Sequence, residues 1–263
     1  MPFVDTNGLR MHYDERGGGE PLVLIMGLGA PGSLWEDHVQ AFEQHFRCIL
    51  LDNRGAGESD KPEGPYTTAM MAEDVAGVIQ ALDLGPARVA GISMGSGIAQ
   101  ELALSHPELV RSLLLIASWA RCDHYTAAVF EHFRHMRALA SPPEFVQLLQ
   151  LWIFTAGYYE QHYTDLVQGQ QGAAEGYMPL HAFCAQADAC ATHDTLDRLS
   201  QITAPALLTC GSADIFTPLR LSLEMLERLP NADLLVLPGV GHCHHWEDLV
   251  TFNTETTKFL LGH

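Results

Sequence analysis

The clearest shortage in this sequence of 263 residues is positive charge. Lys and Arg together number 14 against 32 Asp and Glu, so the formal net charge is -18. Nucleic acids and anionic membranes are bound through basic patches, which such a composition does not supply. We therefore expect neither nucleic acid nor a membrane as a partner of this chain.

Long apolar runs and paired cysteines are also missing. No stretch of about 18 apolar residues occurs, which argues against a membrane-spanning helix. Residues 1–5 lack the basic and then apolar pattern of a signal peptide. The 6 cysteines form no Cys-x-x-Cys pair, which is typical of buried thiols in a reducing compartment and leaves disulfides open. The sequence thus predicts a cytoplasmic protein.

What the sequence does contain is an alternation of short apolar runs with helix-periodic segments. The runs are typical of strands buried on both faces of a parallel sheet, and helical crossovers between them place helices on both faces. A hairpin around Asn7-Gly8 precedes them. The predicted buried strands cover residues 21–26, 48–51, 89–92, 113–117, 206–210 and 234–237.

The pattern changes between about residues 121 and 197, where strand-like runs give way to helical segments rich in aromatic residues. We predict a helical cap over 121–197, inserted into an α/β core domain made of 1–120 and 198–263. Aromatic side chains in and beside the cap are candidates for a pocket wall, although helix-spaced aromatics are more often plain core. The candidates are Trp119, Phe133, Trp152, Phe154 and Tyr158.

The most informative stretch is Gly91-Ile92-Ser93-Met94-Gly95. It joins a strand-like run to a helical pattern, as the Gly-x-Ser-x-Gly turn that exposes a nucleophilic serine does. Close packing at such a turn leaves no room for side chains at 91 and 95. The N–H of Met94, at the start of the helix, would face a developing negative charge.

A serine hydroxyl is a weak nucleophile unless a histidine takes its proton, and the histidine needs a buried carboxylate. Asp214 and His242 each follow the end of a later predicted strand, so both would lie at the sheet edge that carries Ser93. The chain order Ser, Asp, His is the order of this type of architecture. The sequence therefore predicts a catalytic triad of Ser93, Asp214 and His242.

Together these features resemble the α/β-hydrolase superfamily over essentially the whole chain. The resemblance implies an α/β-hydrolase fold, with a mostly parallel twisted sheet and an inserted helical cap. It also implies an oxyanion hole formed by the N–H groups of Leu28 and Met94, because residues 26–29 occupy the place of the family's His-Gly-x-Gly turn. Met26 stands where the family has histidine. The matching segments are 91–95, 52–59, 211–214 with Pro218, and 241–242.

Within the superfamily the chain looks most like carboxylesterases and lactonases. This implies a serine hydrolase that cleaves a hydrophobic carboxylic ester or lactone through an acyl-enzyme, with neither a metal nor an organic cofactor. The pair Trp246-Glu247 shortly after His242 resembles the corresponding residues of carbon–carbon bond hydrolases of the meta-cleavage type. Cleavage of a carbon–carbon bond therefore stays open as an alternative reaction. A homodimer also stays open.

Three further interpretations compete with these assignments. Residues 242–248 contain His, Cys and acidic side chains, which are the ligand types of a metal-dependent lactonase. A non-catalytic ligand-binding member of the superfamily would lack part of the triad, and no part is missing here. Asp52 and Arg54 are better explained as an ion pair that holds their loop than as catalytic groups.

Overall fold

The computed structural model of the chain describes residues 2–263, apart from the side chains of residues 174–176. One sheet of 8 strands organises the molecule. The strands are β1 (Phe3–Thr6), β2 (Leu9–Gly17), β3 (Glu20–Ile25), β4 (Phe46–Leu51), β5 (Ala87–Ile92), β6 (Val110–Ile116), β7 (Ala206–Gly211) and β8 (Ala232–Leu237).

The strand order across the sheet is β1-β2-β4-β3-β5-β6-β7-β8. β1 pairs with β2, and β2 with β4, in antiparallel fashion, whereas every pair from β4–β3 to β7–β8 is parallel. The carboxyl ends of β3, β5, β7 and β8 therefore lie along one edge, where ligands bind in open α/β sheets.

Helices cover the sheet and extend beyond it. In the described part of the chain, none of them has both the length and the apolar character to cross a membrane. They are α1 (Glu36–Phe42), α2 (Thr68–Ala81), α3 (Met94–Ser105), α4 (His124–Leu139), α5 (Pro142–Ile153), α6 (Ala156–Gln161), α7 (Tyr163–Gly176), α8 (Leu180–Ala191), α9 (Leu219–Leu226), α10 (His244–Glu247) and α11 (Leu249–Gly262).

Both faces of the sheet are buried, which explains the continuous apolar runs. In β3, Val23 and Ile25 join the core on the side of α2 and α3, whereas Leu22 and Leu24 join the core on the side of α1 and α11. Successive side chains of a strand point to opposite faces, so each face needs its own apolar set. The predicted α/β class and α/β-hydrolase fold are confirmed.

The opening hairpin is also present. Asn7 and Gly8 both have positive φ, at 51° and 75°, as a two-residue turn between twisted antiparallel strands requires. Thr6 consequently pairs with Leu9 at the end of the β1–β2 ladder.

A helical insertion, α4 to α8, separates β6 from β7 in the chain. Its two ends are neighbours, because Thr195 donates a hydrogen bond to the Ala120 carbonyl oxygen at 2.7 Å and Arg121 pairs with Asp194 at 2.7 Å. Within it, α4 packs on α8 and α5 on α7. The helices lie inside the predicted range 121–197, and the division of the chain into core and cap domains stays a prediction.

Candidate active site

Ser93 lies at the turn between β5 and α3 in a strained backbone conformation. Its φ is 53° and its ψ is -115°, a region that residues with side chains rarely adopt. The Ser93 N–H donates to the Ile116 carbonyl oxygen at 2.8 Å and so ties the turn to the end of β6. The turn therefore fixes Ser93 at the carboxyl edge of the sheet.

The glycines beside Ser93 are required by the close approach of backbone segments. A Cβ atom at Gly91 would collide with the Gly95 carbonyl oxygen, and one at Gly95 would collide with the Ile25 carbonyl oxygen of β3. The start of α3 consequently presses against β5 and β3. This is the steric reason that the sequence suggested for glycine at both positions.

Asp214 and His242 follow the ends of β7 and β8 and are hydrogen-bonded to each other. The distance from His242 Nδ1 to Asp214 Oδ2 is 2.9 Å, and both side chains are buried. An ionised carboxylate only accepts hydrogen bonds, so the proton of a neutral His242 lies on Nδ1 and Nε2 is left with its lone pair. Nε2 is thus the nitrogen that can act as a base.

Asp214 is held in place by its own turn. Its Oδ1 accepts hydrogen bonds from the N–H groups of Phe216 at 2.7 Å and Thr217 at 2.9 Å, and its Oδ2 accepts one from Thr217 Oγ1 at 2.7 Å. Burial alone would raise the pKa of Asp214, but the charge of His242 and the hydrogen bonds from His242 and Thr217 outweigh burial and lower it. Asp214 therefore stays ionised.

Ser93 shares the sheet edge with this pair without a direct bond to it. Among the described residues, no hydrogen bond joins Ser93 Oγ to His242 Nε2. Such bonds are often long or poorly aligned until substrate binds. The structure thus brings Asp214 and His242 into contact and places Ser93 at the end of β5, two strands from β7 and three strands from β8 in the same sheet.

The turn that carries Leu28 lies beside Ser93. The Ala30 N–H donates to the Gly27 carbonyl oxygen at 3.3 Å. Gly29 has a φ of 74°, which a residue with a side chain could adopt only with strain. Within residues 2–263, neither the Leu28 N–H nor the Met94 N–H has an acceptor in the protein. Both amides are available to an anion, and their role as an oxyanion hole stays a prediction.

Two polar side chains at this edge, those of Gln186 and Thr217, were not predicted from the sequence. Gln186 of α8 is fully buried, accepts the Gly29 N–H through Oε1 at 2.9 Å and donates through Nε2 to the Arg54 carbonyl oxygen at 2.8 Å. Thr217 bridges Asp214 and His242, lying 3.0 Å from His242 Nδ1. The three-residue spacing from Asp214 to Thr217 is typical of a local side-chain to backbone hydrogen bond, so Thr217 could have been predicted. The partners of Gln186 could not, because they are remote in the chain.

Asp52 and Arg54 are not paired with each other, so the proposed ion pair between them is wrong. Asp52 accepts from the Gly32 N–H at 2.6 Å and contacts His12 Nδ1 at 2.8 Å. Arg54 instead forms a bidentate pair with Asp74 of α2, at 2.5 and 2.7 Å. Both groups still hold their loop, but through partners that are distant in the sequence and so could not be predicted from it.

A cavity of about 860 Å³ opens beside the Leu28 turn, between that turn and the helical insertion. Its wall is mainly apolar, with Asp37, Lys61, His162 and Asp165 as charged or titratable exceptions. Leu28 and Gly29 belong to this wall, whereas Ser93, Met94 and His242 do not, so the cavity adjoins the candidate oxyanion hole through the Leu28 turn. The apolar and aromatic lining includes Leu34, Val146, Leu149, Ile153, Phe154, Tyr158, Leu166, Tyr177, Met178 and Trp246.

The predicted pocket aromatics divide into two groups. Phe154 and Tyr158 line the cavity, with their rings stacked at a centroid distance of 4.8 Å. Trp119, Phe133 and Trp152 do not line it, and this corrects the sequence prediction. Trp119 and Phe133 are completely buried in the core, and Trp152 packs edge-on against Phe133. Helical spacing identifies an apolar face without saying which neighbour covers it.

The histidines after His242 point into the core. His244 contacts Thr209 Oγ1 and the His242 carbonyl oxygen, and neither ring nitrogen of His245 has a partner among the described atoms. Residues 2–263 contain no group of His, Cys, Asp or Glu side chains arranged to hold a metal ion. The arrangement gives the metal-dependent lactonase interpretation no support.

Comparison with known proteins adds the family to this geometry. A sequence model of the α/β hydrolase fold matches residues 20–249. The chain belongs to the α/β-hydrolase family. The match runs from the start of β3 to the start of α11 and so includes Ser93, Asp214 and His242.

Relatives of this α/β hydrolase span its whole length. A Caulobacter vibrioides protein provisionally named carbamate hydrolase RutD is 30% identical, covering 100% of this chain and 98% of that protein. A Mycobacterium tuberculosis protein provisionally named non-heme bromoperoxidase BpoC is 34% identical, covering 97% and 98%. The crystal structure of an enol-lactonase from Burkholderia xenovorans superposes with a TM-score of 0.91 at 25% identity, covering 99% and 100%. Their names differ in reaction, so they leave the substrate open.

We predict that Gly95→Ala destabilises the protein. The added Cβ would overlap backbone atoms of β3, which cannot move away as a flexible side chain can. We expect the free energy of unfolding, measured by urea titration, to fall by about 2 kcal/mol or more.

Gly172→Ala is the matched control, because Gly172 lies in α7 with open space where its Cβ would be. Alanine is the better helix former, so stability should be unchanged or higher by up to about 1 kcal/mol. Equal, small effects at both positions would contradict the steric account of the Ser93 turn.

We also predict a loss of stability in mild acid from the buried histidines. Burial lowers the pKa of His38 and of His244 to about 4 and lowers that of His245 well below its ordinary value. Below pH about 6.5 these histidines bind protons in the unfolded chain but stay neutral in the folded protein. Their contribution therefore lowers stability as pH decreases toward 4 and is constant above about 7.5. Each histidine should cost about 1 kcal/mol at pH 5.5 relative to pH 7.5.

Urea unfolding at several pH values tests this prediction. His38→Gln should reduce the pH dependence, because the glutamine does not titrate, whereas His45→Gln at an exposed position should leave it unchanged. A free energy of unfolding that is constant between pH 7.5 and 5.5 would contradict the account.

Proposed function

We propose that this α/β hydrolase cleaves carboxylic esters or lactones that carry a bulky apolar group, with Ser93 as the nucleophile. The observation that carries the proposal is the buried His242–Asp214 hydrogen bond of 2.9 Å at the sheet edge that holds the strained Ser93 turn. This pairing leaves Nε2 of His242 as a base on the side away from Asp214.

The first half of the reaction forms an acyl-enzyme. His242 Nε2 takes the proton of Ser93 as Oγ attacks the carbonyl carbon of the substrate. The resulting oxyanion accepts hydrogen bonds from the Leu28 and Met94 N–H groups, and Asp214 stabilises the imidazolium. His242 then donates the proton to the leaving oxygen, and the carbon–oxygen bond breaks.

The second half repeats the same chemistry with water. His242 removes a proton from water, whose oxygen attacks the acyl carbon bound to Ser93 Oγ. The second oxyanion uses the same amides, and the proton on His242 returns to Oγ as the acid leaves. Every proton transfer is thus assigned to a group of this chain, and no further catalytic group is needed.

The cavity is the reason for proposing a bulky apolar group. Its volume of about 860 Å³ lies within the range of pockets for drug-sized ligands, and its wall is mainly aliphatic and aromatic. A small carbamate presents a similar carbonyl carbon but would leave most of this space unfilled. The likeness to an enol-lactonase at a TM-score of 0.91 supports the ester or lactone class.

Replacing the nucleophile tests the proposed reaction. Ser93→Ala should lower kcat on p-nitrophenyl octanoate by at least about a thousandfold, because it removes the attacking oxygen. A fluorophosphonate should label wild-type protein at Ser93 and not label the variant. Ser105→Ala, at an exposed position on the end of α3, is the control. Retained activity in Ser93→Ala would overturn the proposal.

A substrate panel tests the proposed class. We expect kcat/KM for an octanoate ester to exceed that for the acetate ester and for a small alkyl carbamate by about tenfold or more, since each buried methylene adds favourable transfer free energy. A vinylogous diketone is included for carbon–carbon cleavage. Turnover of that diketone alone would make the ester assignment wrong.

Gln186 should support the same site through the Leu28 turn. Gln186→Leu removes the acceptor of the Gly29 N–H, so the turn loses its fixed conformation. We expect kcat to fall by about tenfold to a hundredfold with a smaller change in KM, because an oxyanion donor acts mainly in the transition state. The exposed Gln40→Leu is the control. Equal kcat values in all three proteins would contradict this role.

A further inference from the structure

Glu247 connects the loop of His242 to the helical insertion. Its Oε1 accepts the Gly241 N–H at 3.0 Å and the Thr155 N–H at 3.0 Å, and its Oε2 accepts the Thr155 hydroxyl at 2.5 Å. Gly241 immediately precedes His242, and Thr155 lies between α5 and α6 of the insertion. One half-buried carboxylate therefore joins backbone amides from both parts of the molecule.

A second bond joins the same two segments on the other side of His242. The Cys243 N–H donates to the Ile153 carbonyl oxygen at 2.9 Å. Both residues that flank His242 are thus hydrogen-bonded to the junction between α5 and α6 or to the carboxylate that holds this junction. Space is tight here, since a Cβ at Gly241 would lie 2.9 Å from Glu247 Oε1 and 3.0 Å from the Ile153 carbonyl oxygen.

The wall of the cavity contains the same segments. Ile153 and Phe154 line it just before Thr155, and Trp246 lines it just before Glu247. A group that fills the cavity consequently contacts residues that immediately precede both members of the hydrogen-bonded pair, Thr155 and Glu247.

We propose that Glu247 is a positioning residue that fixes the His242 imidazole by holding its loop against the helical insertion. The inference rests on the proposed function, because it concerns His242 as the base for Ser93. Among the described residues Glu247 has no hydrogen bond to Ser93 or to the imidazole, so it acts through the Gly241 amide and through the amide and hydroxyl of Thr155.

The effect of losing this anchor should fall on the rate rather than on binding. A base must lie within about 3 Å of the proton that it removes, and a misplacement of 1 Å costs about a hundredfold in rate. Substrate contacts with the cavity wall do not depend on the carboxylate itself. A change in kcat with little change in KM is therefore the signature of this role.

Two substitutions at Glu247 provide the test. Glu247→Leu keeps similar bulk and removes both acceptor oxygens, so we expect kcat on p-nitrophenyl octanoate to fall by about tenfold to a hundredfold. KM should change by less than about threefold. Glu247→Gln keeps one carbonyl oxygen for the two N–H groups, so its kcat should stay within about threefold of wild type.

The concentration of folded active sites must be measured independently of turnover. Titration with a fluorophosphonate over a long incubation counts reactive Ser93, and thermal unfolding checks that each variant is folded at the assay temperature. The rate constant of phosphonate labelling should fall in Glu247→Leu in parallel with kcat. Glu255→Gln, which changes an acidic side chain on α11 to an amide, is the matched control and should behave as wild type.

Gly241→Ala keeps the test decisive if Glu247→Leu does not fold. The new methyl group would displace Glu247 Oε1 from Gly241 while leaving the carboxylate in the chain, and we expect the same fall in kcat. Normal kcat per titrated site in the folded Leu or Ala variant would overturn the positioning role. Full activity of Ser93→Ala would instead overturn the proposed function, so the two failures are distinguishable.

Discussion

The closeness of three backbone segments at Ser93 is the constraint on which the rest of the site depends. β3, β5 and the first turn of α3 approach until only glycine fits at 91 and 95, and at this turn Ser93 adopts a φ of 53°. Packing of the sheet core holds that strained conformation. The Met94 amide has no intrahelical partner because Met94 is the first residue of α3, and the turn that carries Leu28 follows β3 and so lies beside the serine. The strained serine and the two candidate anion-binding amides therefore lie together where β3, β5 and α3 meet.

Much of the fold could be predicted because strands buried on both faces of a parallel sheet appear in the sequence as short apolar runs. The ends of those runs then located Ser93, Asp214 and His242 at one edge, since parallel strands align their carboxyl ends. Contacts between remote segments were beyond such reasoning. The partners of Gln186 and Glu247, the pairing of Arg54 with Asp74, and the placement of Phe133 in the core depend on how helices pack, which no local pattern specifies.

Electrostatics at the site follows from the same division between local and remote contacts. Asp214 is kept ionised by its own turn, through Phe216 and Thr217, so its pKa is lowered despite burial. The imidazole is oriented by that carboxylate, but the backbone on either side of it is anchored to the insertion through Glu247 and Ile153. The His242 imidazole is thus hydrogen-bonded to a carboxylate held by the core, while the backbone of its loop is hydrogen-bonded to the helical insertion.

The hydrogen bond between Thr195 and Ala120 has a consequence for how such enzymes diverge. Because the first and last residues of the insertion lie side by side just after the end of β6, its helices can be lengthened, shortened or exchanged without altering the path of the chain from Thr195 to β7. Changes in most of the insertion are thereby separated from Ser93 and Asp214, whereas changes at the α5–α6 junction would reach the His242 loop through the hydrogen bonds to Glu247 and Cys243. A single scaffold of this kind can supply descendants with different substrates, in keeping with the different names borne by its relatives.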